Sequence, residues 1–465
     1  MPGLLLTLAV SIGLVAQSAQ ELYLRGLVQE QANGDLEEAI SLYAQAAKAA
    51  GRDRALAARA LMRMAGAHEK LGDDTEAAIA YAEVVRAYPE QREAVAIAQE
   101  RLTALGRATR AGAANRALLP AERAPDAELA ARLATFLWNG APDAPLLEAA
   151  RRGELHDPAA LNRQVLRMLR DPRSVSLVDD FFVPWLSLDK LKIAQPDPSL
   201  YPQFDAELRQ AMDAETRLFL HSQLREDRDA VELWTANYTY VNERLARHYG
   251  LSGISGRQFR RVIWPNTNRA GLLGQAGPLT ALSVAGRTSP TVRGLYVLTR
   301  FLGVDAPSPP ANVPPLPERS AARPATMRDR MMAHKTNPSC ASCHALFDPL
   351  GLALENFDAT GGWRVTDGGS PIDASGAFMD GTRFDGPAEL RAGLLKYRDA
   401  YYTGVTRQLL AYALNRKGQA GRVYDHEMPA VRKIVRDASA DGYRWSSILA
   451  GIGASAPFQM KDVVP

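Results

Sequence analysis

Apolar residues recur at three- and four-residue spacing along most of the chain, the period of helices that bury one face. From about Glu21 to Leu105 this stripe is rich in alanine and repeats itself. Asn33-Gly34-Asp35 followed by Glu38, Ala39 and Tyr43 returns as Leu71-Gly72-Asp73 followed by Glu76, Ala77 and Tyr81, an offset of 38 residues. The Gly-Asp pairs predict turns, and the alanines and tyrosines predict the knobs between packed helices. Pro89 closes the second unit. Residues 19–105 are therefore expected to form paired helices. Residues 106–126 lose the apolar period and are expected to be a linker.

From Asp126 the period returns. Leu129, Leu133, Phe136 and Leu137 form a stripe that stops at Asn139-Gly140. Asp143-Ala144-Pro145 and Asp157-Pro158 each read as an N-cap with proline in the first turn. Phe181, Phe182, Trp185 and Leu186 form an apolar cluster. Tyr238-Thr239-Tyr240-Val241 predicts a strand, after which Asn242-Glu243-Arg244 resumes helix. Residues 127–303 are expected to be a helical domain. Residues 304–321 hold Pro307, Pro309, Pro310, Pro314, Pro315 and Pro317, which favour an extended strap. In residues 322–388, Asp367, Asp373, Asp380 and Asp385 alternate with glycines. They predict turns and a β-hairpin, without the spacing of an EF-hand calcium loop. Residues 389–465 return to helix through Leu394, Val405, Leu409 and Leu410, then Trp445, Ile448, Leu449 and Ile452. The fold class is mainly α and multidomain, because 465 residues exceed what one core serves.

Composition changes this picture little. Hydrophobic residues make up 46% of the chain and charged ones 23%, the balance of an ordinary globular protein. The formal net charge is +3 with no long run of like charge, so no nucleic-acid surface is expected. Leu4 to Val15 is apolar, and Ala16-Gln17-Ser18 offers small residues where signal peptidase reads them. Residues 1–18 are thus expected to be an export signal. No later run approaches the roughly eighteen apolar residues of a spanning helix, so no transmembrane span is expected in the mature chain.

The chemistry concentrates at Cys340-Ala341-Ser342-Cys343-His344, the C-x-x-C-H pattern of covalent haem attachment. Helix positions three apart share a face, so both sulfurs can meet the two vinyl groups of one porphyrin. His344 follows one step on and is placed to ligate the iron. These are the only two cysteines in the chain. Two other chemistries compete. A redox disulfide needs only the cysteines. A zinc site would draw on Cys340, Cys343, His344 and His334, but neighbours such as Cys343 and His344 rarely converge on one ion. Covalent haem c, one per chain, uses all three residues of the motif and suits an exported protein.

Around the motif, Phe347, Leu350, Leu352, Leu354, Phe357 and Trp363 are expected to wall the porphyrin. Arg364 is expected to pair with a propionate. Asp348-Pro349 is expected to turn the chain beneath His344, so that a carbonyl receives its second ring N–H. For a sixth iron ligand the candidates are His334, Met379 and Met460, with His334 favoured. Met327, Met331 and Met332 are expected at a helix interface. Upstream, Ser289-Pro290 predicts a capped helix start flanked by Arg287 and Arg293, read either as an anion site or as a helix with solvated arginines. No nucleophilic triad emerges.

The stretch His334-Lys335-Thr336-Asn337-Pro338-Ser339-Cys340 through His344, then Asp348-Pro349-Leu350-Gly351-Leu352-Ala353-Leu354-Glu355-Asn356-Phe357-Asp358 and Gly362-Trp363-Arg364, resembles the large planctomycete-type cytochrome c-like proteins. Their tail consists of three consecutive domains of unknown function. Phe136-Leu137-Trp138, Thr239-Tyr240-Val241-Asn242-Glu243, Arg287-Thr288-Ser289-Pro290 and Arg293-Gly294 resemble the first of these. Leu409-Leu410-Ala411-Tyr412-Ala413-Leu414 and Ser455-Ala456-Pro457-Phe458 resemble the last. The resemblance covers about residues 127 to 463. Many relatives carry an upstream cytochrome domain where this chain has a region that resembles tetratricopeptide repeats. Relatives often have Gly at the position of Asn415 and Met or Ile at that of Phe347. The resemblance implies a haem motif and export to the periplasm or cell surface. The expected function is electron transfer with a redox partner protein. The alternatives are a haem-dependent redox enzyme acting on an unidentified substrate near Arg287 and Arg293, or a scaffold that recruits a protein partner through residues 21–105.

Overall fold

A computed structural model describes residues 18–30, 35–71, 73–114, 123–304, 316, 326–334, 338–378, 380–416, 423 and 427–460. The expected export signal up to Gln17, most of the 304–321 strap, Gly34, Gly72 and Met379 lie outside the described residues. So do the side chains of residues 107–114, 333–334 and 338–343, which include His334, Cys340 and Cys343. The chain splits into two compact units, Met1–Glu30 with Asp35–Ala111 and Gln31–Gly34 with Gly112–Pro465.

The first unit is a run of helices: α1 Ala19–Val28, α2 Leu36–Ala49, α3 Arg54–Leu71, α4 Asp74–Ala87 and α5 Arg92–Ala114. Asp35 caps α2 by accepting from the Glu38 amide at 3.0 Å, and Asp73 takes the same place before α4. Ala39, Tyr43, Ala77 and Tyr81 are buried, as the repeat requires. The Tyr43 hydroxyl donates to buried Glu30 at 2.5 Å, and the Lys70 ammonium donates to the same carboxylate. One expectation fails here. Helix α5 runs through residues 106–114, the first part of the expected linker. Its alanines and arginines are strong helix formers, so the helix continues where the apolar period is lost.

The second unit is also mainly helical. Helix α6 (Asp126–Trp138) ends where Asn139 turns left-handed at φ 48°. Helices α7 (Ala144–Arg151) and α8 (Pro158–Arg170) are capped by Asp143 and Asp157, each accepting from the amide three residues on. Long helix α9 (Ala206–Arg225) packs on strand β1 (Tyr238–Val241). Strand β1 pairs antiparallel with β2 (Arg260–Ile263), Tyr238 opposite Ile263. Between them lies α10 (Glu243–Tyr249), whose N-cap Asn242 accepts from Leu245. Strand β2 escapes the sequence pattern because Arg260, Arg261 and Ile263 are exposed.

Next come α11 (Pro290–Tyr296), α12 (Met327–His334) and α13 (Pro338–Leu352). Two small hairpins follow, β3 (Thr366–Asp367) with β4 (Ser370–Pro371), and β5 (Ser375–Ala377) with β6 (Arg383–Asp385). The aspartates and glycines make turns here, as expected. Helices α14 (Gly386–Leu394), α15 (Arg398–Ala413), α16 (Met428–Ser439) and α17 (Trp445–Ala454) close the unit. Asn415, after α15, sits at φ 55°, a left-handed position that favours glycine. The tail returns to α6. Gln459 accepts from the Ala124 amide at 2.8 Å, and Arg132 donates to the carbonyls of Phe458 and Met460. Among the described residues, no helix is long and apolar enough to cross a membrane.

Candidate functional site

Helix α13 opens on Pro338, whose missing N–H costs nothing at a helix start, and carries Cys340 to His344 in its first two turns. Residues four apart stack on one face, so His344 meets Asp348. The His344 Nδ1 lies 3.0 and 2.9 Å from the two Asp348 carboxylate oxygens. Asp348 is fully buried and accepts a second hydrogen bond, from Thr291 Oγ1 on α11, at 3.0 Å. The expected turn at Asp348-Pro349 is absent. The helix continues through Pro349 to Leu352, and a side-chain carboxylate, not a backbone carbonyl, faces the imidazole.

Helices α11 and α13 cross with their backbones in contact. A Cβ on Gly294 would lie 1.8 Å from the Phe347 carbonyl oxygen, and one on Gly351 would lie 1.8 Å from that of Pro290. This approach brings Thr291 within reach of Asp348. Arg293 completes the joint. Fully buried, it donates to the carbonyls of Leu354, Phe357 and Asp358 at 2.7–2.9 Å, in the turns that follow α13. Burial pushes its guanidinium down to about 10. Arg293 is therefore neither a solvated arginine nor open to an anion. Ser289 makes no side-chain cap; its carbonyl accepts from the Arg293 amide instead. Arg287 donates to the Thr288 carbonyl at 3.0 Å.

Glu355 is the second buried carboxylate of this region. It accepts from Thr288 Oγ1 and from Arg364 Nη2, each at 2.8 Å, and burial raises its carboxyl. Arg364 also bonds the Glu355 carbonyl at 3.0 Å and approaches Asp367 at 3.3 Å. Its guanidinium is thus shared between two carboxylates of the protein. Phe347, Leu350, Leu352, Leu354 and Phe357 are buried in the domain's own core, so the expected porphyrin wall is packed against protein. The Phe347 ring stays 5.2 Å from that of His344. Trp363 keeps 40% of its surface exposed and packs edge-on against Phe357 at 5.3 Å.

Helix α12 is clasped to the hairpins. The Met327 amide donates to Asp367 at 2.6 Å, and Arg328 donates to the Asp373 carbonyl at 3.1 Å. Met327 and Met331 are buried against Leu352, as expected of a helix interface, but Met332 is exposed. Met460 lies at the start of α6, in a bridge to Arg123. Arg269 ties the helical domain to this region by donating to the carbonyls of Gly274 and Gly361 at 2.7 Å. Its guanidinium stacks over Tyr249 and Phe357 at 4.4 and 4.8 Å. Among the described residues, no group of three or more His, Cys, Asp or Glu side chains converges as a metal site.

Sequence reasoning missed Asp348, Thr291 and Glu355 as partners. The i, i+4 spacing from His344 could have found Asp348; nothing local marks Thr291.

The family described as a protein of unknown function (DUF1592) matches residues 125–251, DUF1588 matches 269–367 and DUF1585 matches 380–458. The chain belongs to the planctomycete cytochrome c-like family. A tetratricopeptide repeat matches residues 59–90, the second of the two repeat units. No curated protein and no solved structure matches the chain. The Cys340–His344 motif, Trp363 and Arg364 all fall within DUF1588. So do Arg287 to Gly294, which the resemblance had given to the first domain. The crossing of α11 on α13 is the physical reason, since α11 is part of the bed on which the motif helix rests.

Proposed function

We propose that Cys340, Cys343 and His344 hold one covalent haem c and that the protein transfers electrons outside the cytoplasm. The observation that carries this reading is His344 on a helix directly after the two cysteines, with Nδ1 engaged by a buried carboxylate. Such a contact selects one tautomer and orients the ring, so that Nε2 is the nitrogen for iron. The donor set suits haem iron, and membership in a cytochrome c-like family supports it. Bound haem would supply one-electron chemistry at its iron. The chain's own residues orient the axial ring, bury its partner and fix the motif helix on α11. Trp363 offers an exposed aromatic surface within the motif domain, next to Arg364, whose guanidinium is held by Glu355 and Asp367. His334 is proposed as the second axial ligand.

The test is protein matured with a cytochrome c assembly system and extracted with acid–acetone. The colour should stay with the polypeptide, and Cys340→Ser or Cys343→Ser should each leave one thioether. Extraction of all colour, or zinc in its place, overturns the reading. His334→Ala should convert a spectrum without the methionine-ligation band into that of a five-coordinate or water-bound iron.

A second reading rests on the tetratricopeptide match. Repeats of this kind present a surface for protein partners, so residues 21–105 would recruit the redox partner or another protein.

A further inference from the structure

We infer that Asp348 is a positioning residue that gives the axial imidazole anionic character and so sets a low reduction potential, with Thr291 tempering its charge. The inference rests on the haem reading above and goes beyond it by stating the kind of redox partner the site serves.

Both Asp348 oxygens lie within hydrogen-bond distance of His344 Nδ1, and the carboxylate is wholly removed from water. In a low-dielectric surrounding, a charged acceptor polarises its donor more strongly than a backbone carbonyl does. The N–H of His344 is thereby drawn toward the carboxylate, and negative charge is pushed toward Nε2. An electron-rich axial nitrogen stabilises Fe(III) over Fe(II), which lowers the potential. Thr291 donates to Oδ1 from a different helix and draws off part of that charge. Its position is secured by the Gly294–Gly351 crossing, where no side chain separates the two backbones. The carboxylate thus has a contact toward the ligand and another from a different helix. A haem tuned this way matches a low-potential partner, one that donates or accepts electrons well below the range of methionine-ligated cytochromes.

The experiment compares the full-length haem protein with Asp348→Asn and Thr291→Val. Its readouts are redox titration of each protein and, with His334→Ala added to each so that the ferrous iron is five-coordinate, the iron–histidine stretch in resonance Raman spectra. Asp348→Asn keeps an acceptor for Nδ1 but removes the charge. The potential should rise by at least a tenfold change in the Fe(III)/Fe(II) equilibrium, 59 mV for a one-electron couple, and the stretch should fall in frequency. Thr291→Val leaves the charge and removes the competing donor, so both readouts should move the opposite way. A purely structural role predicts the same direction for both variants, through loosening. Unchanged potentials and stretches, or shifts of like sign, overturn the inference while leaving covalent haem intact. Wild-type protein without covalent haem overturns the earlier reading instead. If Asp348→Asn retains no haem, Thr291→Val alone decides by the sign of its shift.

Discussion

Glu215 on α9 is buried with hydroxyls for company. Thr239 and Tyr249 each donate to one of its oxygens at 2.6 Å, and the charge of Arg269 acts on it more weakly than burial does. Burial pushes its carboxyl up to about 8. A group with a raised folded pKa stabilises the fold fully below its unfolded value, near 4.5. That stability is then lost as pH climbs toward 8, because the unfolded carboxyl releases its proton freely while the folded one keeps it. Glu215→Gln should therefore match wild type near pH 4.5 and exceed it at higher pH. The advantage should grow by about 1.4 kcal/mol for each pH unit within that window. Thermal melts at pH 5, 7 and 9 check this; a constant offset between the two proteins sinks the assignment. At the same scale lies Asn139, whose left-handed turn was legible because Asn-Gly follows an apolar stripe. Arg293 was not, since nothing in Arg-Gly-Leu announces that a guanidinium will be buried among three carbonyls from residues 354–358.

At the scale of elements the decisive feature is the crossing of α11 and α13. Two glycines let the backbones touch, and an added methyl has no direction in which to go, because the atoms it meets are backbone. Gly351→Ala should cost more than about 3 kcal/mol, beyond the usual overpacking range. It should also displace Thr291 from Asp348. Denaturant unfolding gives the first effect. Persistence of a wild-type melting temperature in Gly351→Ala would show that these helices separate freely. Strand β1 and the caps at Asp143 and Asp157 were readable because their signals are local: alternation, a side-chain acceptor, proline in the first turn. The exposed partner strand β2 carries no such alternation, so only its pairing with Tyr238–Val241 defines it.

At the scale of the whole molecule the two compact units imply two folding events. The carboxy-terminal unit closes on itself, since Ala124 bonds Gln459 and Arg132 holds the carbonyls of Phe458 and Met460. A chain beginning at Arg123 should fold alone, bind haem and show the full-length spectrum, and calorimetry of the intact protein should resolve two transitions. Loss of haem or a molten baseline in the shortened protein would make the repeats part of the haem unit's core.

What the amino-acid sequence determined by itself is whatever depends on near neighbours. The helical period, the repeat at Asp35 and Asp73, the turns at the Asp-Gly pairs and the C-x-x-C-H motif are all of this kind, because hydrogen bonds within a few residues decide them. The tertiary structure alone decided what surrounds the motif. Asp348 finds Thr291, 57 residues away, only when two glycine-bearing helices meet. Phe347, Leu350, Leu352, Leu354 and Phe357 turn inward, because burial in the core removes their apolar surface from water, while Trp363 stays partly exposed. Contacts of that range follow from packing, in which every residue of the interface takes part, and no short stretch of sequence encodes them.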